Sequence, residues 1–245
     1  TKEFINSVLT IGEKMLISGA EIYRVEDSLK RIFYAYGFSQ INIFAITSTI
    51  IISIKKDDDI FTKTKRITYT DTNLEKLSRL NELSRHICKK NEPVSYIEKE
   101  LRKIDNCHEY NKKERRIFNF LTAFSFSNIF GGNIYEMIVS GILGIVLIEA
   151  LRFFKKTHTN NILTLILSTA SIGFIASVTS VFIKPIDAQI VAIGDIMLIA
   201  PGLMLAGSVR DMFYGDLVAG ILRLFEAVCI AFAIAVGFSV AFLFL

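Results

Sequence analysis

The chain has 245 residues, 51% of them apolar, and a formal net charge of +4; its mean hydropathy is +0.44. Residues 1–116 hold 22 Lys/Arg and 17 Asp/Glu, whereas 117–245 hold only 6 and 7, which argues against a wholly soluble chain and for a polar domain joined to a membrane-embedded half. The basic residues are interleaved with acids, so no nucleic-acid partner is expected. Cys88, Cys107 and Cys229 have neither metal-ligand nor CxxC spacing, as in a reducing compartment.

The start, TKEFINSVLT, lacks the basic segment and apolar core of a cleavable signal. It also lacks a Met, so a few residues are expected to precede it. Phe4, Ile5, Val8, Ile11, Met15 and Leu16 recur at helical spacing over 3–18. A second helix is predicted over 25–36, ended by Gly37. The β-branched run 41–55 and the segment 60–70 predict a hairpin or small sheet, with Asp57-Asp58-Asp59 as the turn rather than a calcium loop. Helices follow over 73–90 and 94–104, separated by Glu92-Pro93, and 105–116 reads as a polar linker. Residues 1–112 therefore form a small α+β domain. Its histidines, His86 and His108, belong to no recognisable catalytic pattern, and no phosphate-binding glycine loop is present.

The second half, 113–245, reads as an α-helical membrane bundle of about five spans near 117–132, 134–154, 161–183, 186–205 and 217–245. The first two divide the run 117–154 at Gly131-Gly132-Asn133, since 38 residues cover about 57 Å, nearly two crossings of a ~30 Å core. Lys112, Lys113, Arg115, Arg116, Arg152, Lys155, Lys156 and Arg210 fall on one side of this arrangement and Lys184 on the other. That bias predicts a cell-membrane protein with a cytoplasmic N-terminus and an external C-terminus.

Charges within apolar sequence are costly, roughly 2.5–3.5 kcal/mol each at a helix centre, and they mark candidate solute paths. Asp195 is a candidate proton or ammonium site, or an external interfacial residue. Pro201-Gly202, late in the fourth span, is a candidate helix break that binds solute through freed backbone groups, or a plain kink. Arg210 and Asp211 begin a cytoplasmic turn that runs to Asp216. Arg223 and Glu226 share a face at i,i+3, either as a buried ion pair or with Arg223 meeting a substrate carboxylate while Glu226 tunes it or carries a coupling proton. Ser140, Gly141, Gly144, Gly215 and Gly220 predict close helix packing. In the polar domain, Gly19, Glu21, Arg24, Glu26 and Asp27 are concentrated in SGAEIYRVEDSLKRI, and Glu26 has Lys30 at i,i+4 for local pairing.

SGAEIYRVEDSLKRI with the following YAYGF, NLEKLSRLNELSR (73–85), FGGN (130–133) and APGLMLAGSVRDMFYGDLVAGILRLFEA (200–227) resemble the threonine/serine exporter family, in the same order over nearly the whole chain. One departure is Ala206-Gly207-Ser208, where the family often has polar residues such as Thr-Asn. The resemblance implies a secondary, proton-driven exporter of small hydroxy amino acids, or of a dicarboxylate such as succinate. Long family members carry a second membrane domain; this sequence resembles the split, two-gene form, which implies a small separate multi-span membrane subunit as partner. A homo-oligomer is a further expected arrangement. No catalytic residue, cofactor or metal is expected. The alternatives from another class are a membrane-anchored enzyme with a hydrolase-like cytoplasmic domain, using Glu21 or His86, and a non-transporting scaffold.

Overall fold

A computed structural model describes residues 1–107, 110–156 and 160–243. His108 and the last two residues of the span expected at 217–245 lie outside the described residues. In chain order the elements are α1 (Lys2–Ile17), α2 (Ile22–Ala35), β1 (Ser39–Ile46), β2 (Thr49–Lys56), β3 (Asp59–Arg66), α3 (Leu74–Lys90), α4 (Val94–Asp105), α5 (Lys112–Ile129), α6 (Ile134–Lys156), α7 (Asn161–Phe182), α8 (Ala188–Ile196), α9 (Gly202–Phe213) and α10 (Leu217–Phe242). Two compact units result: Thr1–His108 with Leu203–Phe225, and Glu109–Gly202 with Glu226–Leu245. The sequence assigns 203–225 to the membrane half; its contacts assign it to the first unit.

In the first unit, the apolar stripes predicted for α1 and α2 turn inward. Ile5, Val8, Ile11 and Met15 pack with Ile22, Val25, Leu29 and Phe33. Gly12 permits the close approach, because a Cβ there would stand 2.8 Å from Leu29 Cδ1. The sheet is antiparallel with β2 central. Ile50, Ile52 and Ile54 are fully buried on one face while Ile51, between them, is 39% exposed, the alternation of a strand with one covered face. The continuous run expected at 41–55 is two strands, not one. Ile46 pairs with Thr49, so Thr47-Ser48 makes a two-residue turn. An unpunctuated β-branched run hides such a turn, since neither residue is the Gly or Asn that usually announces it. Asp57 sits at φ 54 in the second turn, a left-handed conformation that Asp tolerates better than most residues. Asn73 caps α3 by accepting from Lys76 N at 2.9 Å.

In the second unit, α5 starts earlier than the expected span, within the predicted linker. Asn111 accepts from Glu114 N at 2.9 Å while Glu114 accepts from Asn111 N at 2.8 Å, a reciprocal capping box that starts a helix in charged sequence. Asn111→Ala is expected to destabilise this helix start by about 1 kcal/mol, read as faster amide exchange confined to residues 112–115. The small residues of α6 let α5 approach: a Cβ on Gly141 would lie 2.6 Å from Phe120, and one on Gly144 would lie 2.8 Å from Ala123 and Leu198. Leu143, Leu147, Ile172, Val191 and Phe238 form the core between α6, α7, α8 and α10.

Three helices, α6, α7 and α10, are long and apolar enough to cross a membrane, with 23, 22 and 26 residues and mean hydropathies of 2.1, 2.0 and 2.3 over an 18-residue stretch of each. The molecule is accordingly a mostly helical membrane protein with a small three-stranded sheet in its N-terminal part. The other two expected spans are not single apolar helices. The first turns of α5 carry Lys112, Lys113, Glu114, Arg115 and Arg116. The segment 186–205 divides into the 9-residue α8 and the start of the 12-residue α9. At 1.5 Å per residue these reach only about 14 and 18 Å.

Candidate functional site

The first unit gathers most of the charged residues singled out in the sequence around one helix start. α1 ends in a reversal in which Gly19, at φ 91, donates to Leu16 O and Ala20 donates to Met15 O. The positive φ is cheap for glycine and costly for any other residue. α2 then begins at Ile22 without a cap from Glu21, the residue before it. The missing acceptor comes from α9: Asp211 Oδ1 accepts from Ile22 N at 3.0 Å. A carboxylate in that position also sits favourably at the positive end of the α2 dipole. Asp211 is fully buried, and its Oδ2 lies 2.9 Å from Arg223 Nη1. Arg223, on α10, donates through Nη2 to Ala20 O at 3.0 Å. Gly207 makes room for this guanidinium, since a Cβ there would stand 2.9 Å from Nη1.

Around this buried pair lies a more exposed ring. Arg210 pairs with Glu21 Oε1, and Glu21 Oε2 lies 3.4 Å from Arg24. Tyr23 stacks on Tyr214 with ring centroids 3.9 Å apart. The expected turn from Arg210 to Asp216 is shorter than the sequence reading: both Arg210 and Asp211 belong to the last turn of α9. Helix continues there because no breaker precedes Gly215, which takes φ 96. Asp27 pairs on the surface with Arg31.

Glu26 does not make the local pair with Lys30 that its spacing suggested. Its Oε1 accepts from Ala45 N at 2.6 Å, at the β1 edge. Glu26 and Lys30 share with Tyr23, Tyr214 and Asp216 the lining of a cleft of about 560 Å³. Burial pushes the Glu26 carboxyl above its ordinary range, Ala45 N–H pulls it back, and nearby Asp216 adds to the rise. A carboxyl whose folded pKa is raised binds more protons folded than unfolded, so its contribution falls as pH rises from the ordinary carboxylate value through the raised one. Glu26→Gln keeps an acceptor for Ala45 N–H and is expected to flatten that decline. Thermal unfolding of the full chain across mildly acidic to neutral pH checks it; an unchanged slope counts against this role.

The second unit buries two further carboxylates. Asp195, in the last turn of α8, is fully buried. Ser140 Oγ of α6 lies 3.4 Å from Asp195 Oδ1 and 3.2 Å from Ala123 O of α5. Asp195 Oδ2 and the nearby Ser127 Oγ have no hydrogen-bond partner among the described residues. Gly194 sets this crossing: a Cβ there would meet Ser140 Oγ, Ala123 O at 2.9 Å and Ser127 Cβ at 3.2 Å. Glu136 is 3% exposed. Its two oxygens accept from Asn133 N at 2.6 Å and Asp187 N at 2.7 Å. Asn133 Oδ1 accepts from Tyr135 N and Glu136 N while its Nδ2 donates to Pro185 O at 2.6 Å. The Gly-Gly-Asn turn is thus tied to the loop before α8.

Pro201 and Gly202 do not lie late in a continuous helix. They open α9 after a turn over 197–199, with Gly202 N donating to Ala200 O. Pro201 disfavours helix at Ala200 and has no N–H to extend one. Glu226 is exposed on α10 and has no ion-pair partner among the described residues; the side chain that pairs with Arg223 is Asp211. His86 lies 3.1 Å from Glu92 and stacks on Tyr96, a contact between α3 and α4. Among the described residues no three His, Cys, Asp or Glu side chains gather as a metal site, and the three cysteines are free.

Sequence reasoning missed Glu136, Ser127 and Tyr214. Glu136 was readable, since Asn133-x-x-Glu136 has capping-box spacing. Ser127 and Tyr214 carry no local signal, because their neighbours come from other elements.

The whole chain from residue 6 to residue 245 matches the model of a family described as Putative threonine/serine exporter (ThrE). No curated protein and no solved structure matches it.

Proposed function

We propose, from the premise that this chain belongs to the threonine/serine exporter family, that it is a subunit of a secondary exporter moving small carboxylate-bearing solutes out of the cytoplasm, with serine and threonine first. The carrying observation is that Arg223, in the apolar helix α10, is buried against a carboxylate, Asp211. An arginine fork is suited to bind carboxylates. A solute carboxylate exchanging with Asp211 at Arg223 would also release Ile22 N and the start of α2, which links solute occupancy to the first unit. Succinate, with two carboxylates, is the next candidate.

Uphill export needs a driving force, and the family resemblance and the buried carboxylates support a proton gradient. The basic bias of the connections supports a cytoplasmic domain over residues 1–112, an external C-terminus and five membrane passages in between. The expected partner is a small multi-span subunit of the same family.

The test is efflux of labelled serine, threonine and succinate from vesicles, comparing the chain purified alone with the chain co-purified from its native membrane. Efflux only from the co-purified sample supports a separate subunit, and efflux from the chain alone removes the need for one. No efflux of any of the three solutes from either sample overturns the export reading.

A further inference from the structure

We infer that Asp195, Ser140 and the Ala123 carbonyl form a binding site for one dehydrated monovalent cation of sodium size. Asp195 is fully buried, and no cationic side chain pairs with it among the described residues. An isolated buried carboxylate is strongly unfavourable unless its charge is matched. The oxygens around it are those of a hard-cation site: a carboxylate, a hydroxyl and a main-chain carbonyl. They come from three helices that Gly194 brings into contact.

The spacings favour an ion over a closed hydrogen-bond network. Ser140 Oγ is 3.4 Å from Asp195 Oδ1 and 3.2 Å from Ala123 O, longer than the usual O–H···O distance of about 2.7–2.8 Å. Sodium has nearly the radius of calcium, which takes oxygens at about 2.3–2.6 Å. Neighbouring oxygens of an octahedron at the short end of that range stand about 3.3 Å apart. Ser140 has a single proton and cannot serve both acceptors. Asp195 Oδ2 and Ser127 Oγ, both buried, have no partner among the described residues. A proton on Oδ1, donated to Ser140 Oγ, would leave Oδ2 without a partner, whereas one cation can satisfy the carboxylate, the Ser140 hydroxyl and the carbonyl together. The single negative charge selects a monovalent ion, since a divalent one would leave a net positive charge buried. α8 stops one residue after Asp195, so the site lies at a break between helices, where transporters hold coupling ions.

Binding of this ion does not rest on the export reading, whose driving ion is a proton. The full chain in detergent is titrated with sodium chloride against choline chloride at constant ionic strength, following heat of binding and thermal unfolding. Saturable binding is expected with sodium, weaker binding with potassium and none with choline. Asp195→Asn is expected to abolish it, and Ser140→Ala to weaken it about tenfold, as for a disturbed ligand shell. Glu226→Gln, at an exposed position, should bind as the parent does. If Asp195→Asn does not fold, the parent titration and Ser140→Ala decide. Equal responses to all three salts overturn the site, as does sodium binding that survives in a folded Asp195→Asn variant or is unaltered in Ser140→Ala. A sodium-independent, Asp195-dependent response to pH would instead make it a proton site. Sodium binding without solute efflux would overturn export while leaving the cation site standing; efflux without sodium binding would do the reverse.

Discussion

Asp211→Asn is expected to destabilise the first unit by about 3–5 kcal/mol, the cost of removing one partner from a buried ion pair. The amide can still accept from Ile22 N, so the cap of α2 survives and the loss is specific to charge. Arg223 is then left buried with only the Ala20 carbonyl as an acceptor among its named contacts. The measurement is thermal or denaturant unfolding of the full chain in detergent, with exchange protection at 20–25 as the local readout. Arg223→Gln should cost a similar amount, because it strands Asp211 instead. The double variant should cost less than the two singles together, since their shared interaction is removed once. Fully additive losses would show that the 2.9 Å pair contributes no coupling. Export should fall to background in Arg223→Gln while the protein still inserts; unchanged export would remove Arg223 from the solute site.

The second large effect is expected at Glu136. Both of its oxygens accept backbone N–H groups, at 2.6 and 2.7 Å, in a buried position. Glu136→Gln retains one acceptor and turns an NH2 donor toward the other N–H. The loss is a charge-assisted hydrogen bond together with an unsatisfied donor, about 2–3 kcal/mol. Asn133→Ala should act on the same tie, because Asn133 bonds Pro185 O as well as the start of α6. Proteolysis or amide exchange at 185–189 reads the release of the loop. Unaltered protection there in Glu136→Gln would mean that the loop is held by other contacts.

These two sites mark the limit of what sequence patterns reveal. The concentration of Glu21, Arg24, Glu26 and Asp27 in SGAEIYRVEDSLKRI is plain in the sequence, but their partners are not. Arg210 and Asp211 lie 189 positions from Glu21 and Ile22, and nothing local encodes that meeting. Arg223 and Glu226 looked paired because they share a helix face. Asp211 takes the arginine instead, since α9 and α10 fold back at Gly215 and a close approach at Gly220 brings Ser208 and Met212 against α10. Glu26 illustrates the same competition on a smaller scale: Lys30 was available one turn away, but the unpaired N–H of Ala45 at the sheet edge took the carboxylate.

The sequence by itself determined the helices of the N-terminal part, the β-rich segment, the three of its five expected spans near 134–154, 161–183 and 217–245, and the family. Those features depend on side-chain periodicity, chain breakers and composition over a few neighbouring residues. Only the tertiary structure decided that 203–225 joins the first unit, that helix stops at Ile196 and resumes at Gly202, and that Asp195 meets Ser140. The reason is the range of the interactions. Helix and strand patterns are set within a turn or two of chain, whereas a buried charge is matched by whatever group the packing of distant segments brings within about 3 Å.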